Sequence, residues 1–443
     1  MSRLESIVIG AVMRVLVRSP WPAVQAYLLS LFVRERLPDG RLVKPTADAS
    51  RPAVLALSAD QFRSDPECLA AEGTFRILEL ATPIMRRLVY RFYPADAPWP
   101  DIISHKIRPD LEPNRKRCRA FLERLLPAFY RRLGIRAVIS PHMHYGTDVD
   151  WGAVSETLGV PYVVLHRENL YASQQVIEMV LRRFAYLGVQ FEGRRLITHN
   201  PVVSDVLVRS GFVDASRAQA LGCIRMDPYI QRARGRNPPS PARRIAIFPY
   251  SIGPDDRELF RRLRLAFNRM YAFLVRFALE NPDIEIVIKP KAKWMQSWRE
   301  DTERGLRASG LSLGDATNVV VRADVDVHDL ILSSAVVLGL NTTTVIEAGI
   351  AGRYTVIPFL EELHVLEVEP EILFFSSFSK LIVARNLDEL ERHLRAGLAG
   401  TSLPPAVRAE YDAVFERYVS TLDAGATARY VHLLQEVIND NAA

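Results

Sequence analysis

The feature of this sequence that most limits its fold is a regular alternation of short apolar segments with longer amphipathic ones. Residues 137–140, 161–166 and 195–198 are apolar runs of strand length, and residues 151–158 and 201–210 have helical periodicity and are each followed by a glycine. Short apolar strands that alternate with helices are typical of a parallel sheet covered on both faces. The alternation therefore predicts an α/β fold.

A linker divides this alternation into two series. Residues 231–243 contain three prolines, several arginines and few large hydrophobic residues. The candidate strands of the second series are residues 244–248, 284–289, 318–322, 335–339 and 354–358. A chain of 443 residues is too long for one ordinary core and suits two domains of about 200 residues each. We therefore expect two doubly wound Rossmann-like domains, at residues 1–230 and 244–443, with a hinge near residues 227–243.

The composition excludes several classes of protein. Basic residues number 57 and acidic residues 51, a net charge of +6, and no basic stripe is interleaved with aromatic residues, so we expect no nucleic-acid partner. The cysteines Cys68, Cys118 and Cys223 are odd in number and far apart. This arrangement argues against a disulfide framework and against a CxxC metal site, and we expect a cytoplasmic protein.

The first apolar segment, residues 7–33, allows two interpretations. It has no cleavage pattern of small residues and no stretch of about 18 uninterrupted apolar residues, so we expect neither a signal peptide nor a transmembrane helix. Arg14, Arg18 and Trp21 within it suit a membrane surface, and residues 1–36 would then form peripheral amphipathic helices at the inner face of the plasma membrane. In the alternative, the segment forms two core helices packed on the N-terminal domain.

The stretch from residue 335 to residue 359 contains the most informative pattern. An apolar strand ends at Gly339, and Thr342, Thr343 and Thr344 follow at the start of a predicted helix. Threonine hydroxyls, unpaired backbone N–H groups and the positive end of a helix dipole together suit a diphosphate.

Glu347 adds to this pattern, which also has a simpler structural explanation. Glu347 lies one turn into the predicted helix, where its carboxylate could accept hydrogen bonds from ribose hydroxyls. An ordinary helix with Asn341 or Thr342 as its N-cap would produce the same sequence pattern.

This stretch resembles the donor-nucleotide motif of glycosyltransferases with the GT-B fold. In that motif, a strand that ends in glycine and small polar residues leads to a helix carrying Glu-Ala, and a glycine, a valine and a proline follow. The matching positions are Glu347, Ala348, Gly352, Val356 and Pro358. The resemblance implies two Rossmann-like domains that face each other across a cleft, with the nucleotide sugar bound by the C-terminal domain.

Three other segments resemble enzymes of bacterial surface-carbohydrate synthesis. Residues 221–227 resemble a G-x-x-R-x-D motif through Arg225, and residues 422–429 resemble a C-terminal D-G-x-x-x-x-R signature. Residues 286–290 resemble a V-I-K-P strand end, but Lys291 stands where those enzymes have histidine. The resemblance implies capsule or lipopolysaccharide synthesis and a donor linked to CMP, UDP or CDP, with no metal ion or other cofactor.

Several more residues are predicted to bind the donor nucleotide. Lys289 and Lys291 end a strand and could neutralise the leaving phosphate. Ser251 and Gly253 follow another strand in a turn of small residues, which could also approach phosphate. Arg225 joins this site through the resemblance. The predicted nucleotide-sugar site is completed by Asn341, Thr342, Thr343, Thr344 and Glu347.

The residues predicted to carry out the chemistry lie in the first half of the chain. His166, Arg167 and Glu168 follow a buried strand, so they emerge at the carboxyl edge of the sheet, where ligands of α/β folds bind. Transfer to a sugar hydroxyl needs a general base, and Glu168 or His166 is the first candidate.

The preceding strand leads to a second polar group, which we expect at the same edge. Asp148 is a further candidate for the base, and His142 and His144 are predicted to bind the acceptor together with Arg167. If this segment is extended, His142 and His144 point to the same side and could also ligate a metal ion jointly. We nevertheless predict no metal site.

We therefore predict a glycosyltransferase that moves a sugar from a nucleotide-activated donor to a glycan or glycolipid acceptor in surface polysaccharide synthesis. The GT-B fold and the glutamate motif also occur in non-hydrolysing UDP-sugar 2-epimerases and in polyol-phosphate transferases that use CDP-glycerol. A non-catalytic scaffold subunit of a polysaccharide assembly complex is a third alternative, because Lys291 replaces the expected histidine.

Overall fold

A computed structural model describes residues 3–46, 50–97, 104, 106–235, 241–250 and 257–440 of the chain. The chain divides into two compact units. Unit 1 comprises Met1–Leu170, Met179–Asp227 and Asp423–Ala443, and unit 2 comprises Tyr171–Glu178 and Pro228–Leu422.

Unit 1 is built around one sheet with the strand order β2-β1-β4-β3-β5-β6-β7-β8. Its strands are β1 (Arg34–Arg36), β2 (Leu42–Val43), β3 (Ala53–Leu57), β4 (Arg76–Leu80), β5 (Ile135–Ser140), β6 (Tyr162–Leu165), β7 (Arg195–Thr198) and β8 (Ala218–Ala220). Strands β3 to β8 pair in parallel, and β1 is antiparallel to both β2 and β4. Strands β3 to β6 consist almost entirely of buried residues, as expected of a sheet covered on both faces.

Unit 2 contains a fully parallel sheet with the strand order β11-β10-β9-β12-β13-β14. Its strands are β9 (Ala242–Phe248), β10 (Glu285–Ile288), β11 (Val319–Val321), β12 (Ser334–Gly339), β13 (Tyr354–Pro358) and β14 (Val383–Ala384). Counted from β9, this is the 3-2-1-4-5-6 order of the Rossmann fold. The predicted α/β class with two doubly wound Rossmann-like sheets is thus confirmed.

Helices connect the strands of both sheets. In chain order they are α1 (Arg3–Arg18), α2 (Pro22–Ser30), α3 (Asp65–Ala71), α4 (Thr82–Val89), α5 (Glu112–Leu133), α6 (Val149–Thr157), α7 (Gln174–Leu187), α8 (Pro201–Arg209), α9 (Asp227–Arg234), α10 (Glu258–Glu280), α11 (Met295–Arg307), α12 (Val327–Ser333), α13 (Thr344–Ile350), α14 (Leu387–Leu398), α15 (Pro405–Tyr418) and α16 (Ala426–Asn439). Among the described residues, none of them combines the length and apolarity that crossing a bilayer requires.

The last helix, α16, belongs to unit 1, whereas the sequence analysis placed all residues up to 443 in the second domain. Its side chains Tyr430, Leu433 and Leu434 are buried in the core of unit 1 beside residues of β3, β4 and β5. The hydroxyl of Tyr430 also donates to the carbonyl of Gly222, at 2.9 Å. An amphipathic pattern predicts that a helix has an apolar face, but not which sheet covers that face, which explains the wrong boundary.

Helices α1 and α2 lie on unit 1. Met13, Leu16, Ala26 and Leu29 are buried, with at most 2% of each residue exposed. Helix α2 packs against α5. Part of residues 7–33 therefore forms core helices, as one of the two interpretations predicted, and another face of the same helices is exposed.

Candidate functional site

The strand order of unit 2 singles out one position for a ligand. Strands β9 and β12 are neighbours, with Phe248 opposite Gly339, but the next strands, β10 and β13, lie on opposite sides of this pair. In open parallel sheets, ligands bind outside the carboxyl ends of the strands at such a switch point. The segment that follows β12 at this point contains Asn341, which was predicted to bind the nucleotide sugar.

The turn after β12 is tight because of two residues with special backbone roles. A Cβ added to Gly339 would lie 2.7 Å from Cγ2 of Thr342, so only glycine allows this approach. Asn341 has a left-handed backbone with φ of 54°, which asparagine tolerates better than most residues. Its side-chain Oδ1 accepts a hydrogen bond from the N–H of Leu373, at 2.9 Å. The Asn341 side chain therefore anchors a neighbouring loop of unit 2.

The predicted threonine cluster forms within this turn. The hydroxyls of Thr342 and Thr344 are hydrogen-bonded at 2.9 Å, and the N–H of Thr344 donates to the hydroxyl of Thr342 at 3.3 Å. All three threonines are half-buried. Helix α13 starts at Thr344 and has only 7 residues, so its dipole is short. The binding of an anion here would depend chiefly on hydroxyl and N–H donors.

Glu347 is held from two directions. Only 6% of the residue is exposed, and its Oε2 lies 3.4 Å from Nε2 of His328. The hydroxyl of Tyr229 donates to the backbone carbonyl of Glu347 at 2.6 Å, and the Tyr229 ring stacks on His328 with 4.0 Å between ring centroids. The result is a buried carboxylate in a fixed position beside the threonine turn.

His328 is a functional candidate that the sequence analysis missed. His328 and Asp329 lie in the first turn of the helix α12. In the structure Asp326 is the cap, because its Oδ1 accepts from the N–H of Asp329 at 2.9 Å. No spacing rule links position 328 to position 347, so the pair became visible only in the fold.

The two predicted lysines differ in their surroundings. Nζ of Lys289, at the end of β10, donates to the carbonyl of Ala323 at 2.9 Å, and burial lowers the pKa of this amine despite the nearby carboxylates of Asp326 and Asp324. Lys291 is exposed. An ammonium group has three donors, so the hydrogen bond to Ala323 occupies one of the three donors of Lys289. The predicted residues Ser251 and Gly253 lie outside the described residues.

Unit 1 has a switch point of its own, between β3 and β5. Asp148 bridges the two strand ends there, because Ser58 donates to its Oδ1 at 2.8 Å and Ser140 donates to its Oδ2 at 2.7 Å. Asp148 is 0% exposed, and burial raises its pKa to about 6 in spite of these hydrogen bonds. Both oxygens are occupied and enclosed. Asp148 therefore holds the sheet together, and the general-base role predicted for it does not fit this position.

A polar cavity of about 180 Å³ opens above this bridge. It is lined by Gln61, Thr82, Arg86, Tyr90, His142, Tyr145, Thr147 and Arg167. Nη1 of Arg167 donates to the backbone carbonyl and to Oε1 of Gln61, at 3.0 and 2.8 Å. Burial, followed by the charge of Arg167, lowers the pKa of His142 to about 2, so this ring is neutral at pH 7. The cavity offers two guanidinium groups, several hydroxyls and a neutral imidazole.

The two remaining candidates for the base lie at different depths. His166 is 3% exposed, and burial lowers its pKa to about 4, so the ring is neutral and enclosed at pH 7. The side chain of Glu168 is 62% exposed, and its Oε1 lies 3.2 Å from Nη2 of Arg167. Of the residues predicted as the base, Glu168 alone combines a carboxylate with access from solvent.

His144 does not share the cavity of His142, contrary to the expectation of an extended segment. Residues 141–146 do not form a strand. The ring of His144 packs edge-on against Phe184, with 5.5 Å between ring centroids. His144 borders a separate cavity of about 280 Å³ with Arg115 and Glu192. Burial lowers its pKa to about 3. A joint metal site or acceptor site for the two histidines is therefore not supported.

Arg225 was predicted to bind the nucleotide sugar together with residues that belong to unit 2, but Arg225 itself belongs to unit 1. Its Nη1 is 3.5 Å from Oδ1 of Asp65, whose pKa is raised to about 6 by burial. Burial, followed by the charges of Arg225 and Arg167, lowers the pKa of Arg63. Arg63, Arg167 and Arg225 thus form a cationic group at the carboxyl edge of the unit 1 sheet. Arg63 carried no motif by which the sequence could have revealed it.

No known protein family matches the sequence, and no curated protein does either. Solved structures do match. A protein from Listeria monocytogenes assigned as a UDP-N-acetylglucosamine 2-epimerase is 12% identical, with a TM-score of 0.51 over 88% of this chain and 98% of its own. A glycosyltransferase from Rickettsia africae is 10% identical, with a TM-score of 0.49 over 88% and 99% of the two chains. UDP-GlcNAc 2-epimerase from Neisseria meningitidis bound to UDP-GlcNAc is 13% identical, with a TM-score of 0.47 over 87% and 100%.

The strand orders of the two units and the likeness to the Listeria protein lead to the same assignment. At 12% identity the likeness concerns the fold. The chain has the GT-B fold, with two Rossmann-like units.

Proposed function

We propose that the chain is a glycosyltransferase that transfers a sugar from a nucleotide-activated donor to a glycan or glycolipid acceptor in surface polysaccharide synthesis. The observation that carries the proposal is the buried carboxylate of Glu347 beside the threonine turn, at the switch point of a Rossmann sheet. Ligands of such sheets bind at this point, and a carboxylate there can accept from the hydroxyls of a ribose.

The donor would be a CMP-, UDP- or CDP-linked sugar bound by unit 2. The hydroxyls and N–H groups of Thr342 to Thr344 would donate to the phosphates, and Lys289 would add a positive charge. In this arrangement no metal ion or other cofactor is needed, because the leaving group's charge meets donors from the chain. His328 would hold the Glu347 carboxylate at the position that the ribose requires.

The acceptor would occupy the polar cavity of unit 1. Its hydroxyl-bearing side chains suit a sugar, and Arg86 and Arg167 would favour an acceptor that carries a carboxylate or phosphate. Glu168 would take the proton from the attacking hydroxyl. Its exposure leaves the carboxylate accessible to an acceptor hydroxyl, and Arg167 at 3.2 Å orients it.

A UDP-sugar 2-epimerase is a second candidate. It is favoured by one observation, the likeness to the Listeria protein, whose name specifies UDP-N-acetylglucosamine. An epimerase would need no acceptor and would convert the nucleotide sugar alone. A CDP-glycerol-dependent transferase and a non-catalytic scaffold are further outcomes that the same experiment distinguishes.

The first test is a thermal-shift panel of UDP, CDP, CMP and GDP on the wild type, on Glu347→Gln and on a control, Glu300→Gln, at an exposed site of unit 2. A nucleotide at about 100 times its Kd should stabilise the protein by roughly 2.7 kcal/mol. We expect one nucleotide to stabilise the wild type and the control but not Glu347→Gln. If none does, the nucleotide-sugar site is refuted and the scaffold alternative gains support.

The second test supplies the matching nucleotide sugars with and without a mixture of glycan acceptors, and follows the products by NMR. Release of nucleotide only when an acceptor is present supports glycosyl transfer. Inversion at C2 of the sugar without acceptor would establish the epimerase, and release of CMP from CDP-glycerol would establish the polyol-phosphate transferase.

A further inference from the structure

The exposed face of α1 and α2 has an unusual concentration of large apolar side chains. We call this surface the N-terminal patch, and it consists of Ile7, Val8, Val15, Trp21, Val24, Tyr27 and Leu31. Trp21 is 66% exposed and Ile7 is 60% exposed. Single exposed apolar residues are normal on proteins, but a contiguous group of them marks a binding surface.

The same two helices are already attached to unit 1 by their other faces. Met13, Leu16 and Leu29 are each 0% exposed, and they provide the apolar contact that holds the helices in place. The patch is therefore not needed for docking α1 and α2 on their own unit. Its apolar side chains form a second face, directed away from the core.

The charged residues of the segment that carries the patch, residues 7–33, are all basic. Between Ile7 and Val33 the sequence contains Arg14 and Arg18 and no acidic residue. Both arginines are exposed. Arg132 of α5 adds a third guanidinium, which lies over the ring of Tyr27 at 4.9 Å from its centroid and donates to the hydroxyl of Ser30 at 3.1 Å.

A groove next to α1 continues this combination of apolar and cationic groups. It has a volume of about 690 Å³, and its lining includes Val17, Phe92 and Phe121 together with three arginines, Arg91, Arg117 and Arg124. Arg91 also donates to the carbonyl of Gly10 in α1, at 3.3 Å. The carboxylate of Glu123 is the acidic group in the lining. Such a groove fits a molecule with an apolar chain and an anionic head.

We propose that the N-terminal patch and this groove bind the surface of a bilayer that contains anionic phospholipids. Apolar side chains with Trp and Tyr suit the boundary between headgroups and acyl chains, and surrounding arginines pair with lipid phosphates. A protein partner that matched the apolar face would have to place a carboxylate opposite every arginine, whereas an anionic leaflet presents phosphates to the arginines at any orientation. The proposal concerns unit 1 alone and does not depend on the proposed function.

Sedimentation of the full chain with vesicles tests this proposal. One vesicle contains phosphatidylcholine alone and the other contains phosphatidylcholine with phosphatidylglycerol. We expect binding to the second vesicle that weakens as salt is added. Arg14→Gln combined with Arg18→Gln should reduce the partition coefficient about 25-fold, since each arginine near an anionic surface contributes about fivefold. Val15→Ser combined with Trp21→Ser should also reduce binding.

The matched control is Arg299→Gln combined with Leu366→Ser, which changes one exposed arginine and one exposed leucine in unit 2. We expect this variant to bind vesicles like the wild type. Far-ultraviolet circular dichroism and thermal unfolding identify any variant that fails to fold. The proposal is overturned if the wild type ignores anionic vesicles at low salt, or if the patch variants bind as well as the control. It is also overturned if sedimentation equilibrium shows a dimer that the patch variants abolish without any vesicle binding.

Discussion

Asp227 caps the start of α16, because its Oδ2 accepts hydrogen bonds from both the N–H and the hydroxyl of Thr427, each at 2.7 Å. Its Oδ1 accepts from the N–H of Ala426 at 3.3 Å. Two segments that resembled separate motifs of surface-carbohydrate enzymes, residues 221–227 and 422–429, thus meet in unit 1. Arg429 reinforces the contact by donating to the carbonyl of Leu221 at 2.9 Å. Their resemblance has a structural basis in the attachment of the last helix.

The first prediction concerns this cap. Asp227→Ala should destabilise the docking of α16 by about 1–3 kcal/mol, because buried N–H groups lose their acceptor. Hydrogen exchange of residues 426–439, measured by mass spectrometry, should become faster while exchange in unit 2 stays unchanged. Asp205→Ala, which removes an exposed i,i+4 ion pair with Arg209, serves as the control and should alter neither. Unchanged protection of α16 in Asp227→Ala would contradict the capping role.

The second prediction concerns His328 as a positioning residue. His328→Ala leaves the Glu347 carboxylate without its imidazole neighbour, and we expect the affinity for the stabilising nucleotide to fall about tenfold, or about 1.4 kcal/mol. Isothermal titration calorimetry measures this loss. His393→Ala is the control, since His393 is also beside a tyrosine, with Nδ1 3.1 Å from the hydroxyl of Tyr354. Equal affinity losses in the two variants would indicate a general effect on folding.

The third prediction separates chemistry from donor binding. Glu168→Gln keeps the shape of the side chain but removes the base, and we expect turnover to fall by about 100-fold or more while the Kd for nucleotide is unchanged. Rates with saturating donor and acceptor measure this effect. Glu72→Gln, at an exposed position of unit 1, should have wild-type rates. A Glu168→Gln enzyme with normal turnover would move the base to another residue.

The fourth prediction follows from the buried carboxyl of Asp148. Its pKa is raised from 3.8 to about 6, so the folded state holds the proton more tightly than the unfolded state. The stability contributed by this proton is fully present below about pH 4 and is lost as the pH rises through about 6. An asparagine at position 148 does not titrate, so Asp148→Asn should not lose this stability. The free energy of unfolding of the variant minus that of the wild type should therefore be larger at pH 8 than at pH 4.

The size of that shift is at most about 3 kcal/mol, since each pKa unit corresponds to about 1.4 kcal/mol. Urea unfolding of both proteins at pH 4 and pH 8 gives the comparison. Asp65 also has a pKa raised to about 6 by burial, so the wild type retains part of the pH dependence in either case. Parallel pH profiles for wild type and Asp148→Asn would show that the Asp148 carboxyl is ionised without penalty.

The fifth prediction concerns the packing of α13. Gly349 of α13 packs closely against Tyr411 of α15. A Cβ at position 349 would lie 2.2 Å from Cγ of Tyr411. Gly349→Ala should therefore destabilise unit 2 by about 1–3 kcal/mol. Gly314→Ala, whose Cβ would meet only the hydroxyl of Ser312 at 3.7 Å, is the control. Thermal unfolding measures both, and equal stabilities would contradict the clash.

The sequence predicted the central strands well, because buried parallel strands are short apolar runs between helices. The predicted strand at residues 335–339 is observed as Ser334–Gly339, and the predicted strand at residues 354–358 is observed as Tyr354–Pro358. The strands Arg34–Arg36 and Leu42–Val43 were missed. The first is polar and the second has only two residues, so only the pairing of β1 with β4 and with β2 reveals them as strands.

The candidate site was predictable only in part, for a similar reason. The order of residue types along the chain was enough to predict the turn at Thr342 and the polar residues, among them Glu168, that follow β6. Contacts between distant segments, such as His328 with Glu347 or Arg225 with Asp65, depend on how helices pack and leave no periodic signal. The sequence near a residue also does not show how deeply its side chain is buried. For this reason Asp148 and His166 were predicted as candidates for the general base alongside Glu168, although both are buried.

The position of α16 has a consequence for how the protein is made. The nascent chain emerges from the ribosome in order, so unit 2 is complete while residues 426–439 are still being synthesised. Until they emerge, the apolar side chains of β3, β4 and β5 lack the cover that Tyr430, Leu433 and Leu434 provide. Domains usually finish folding in the order of their synthesis. In this protein the unit that is started first must be the last to close its core.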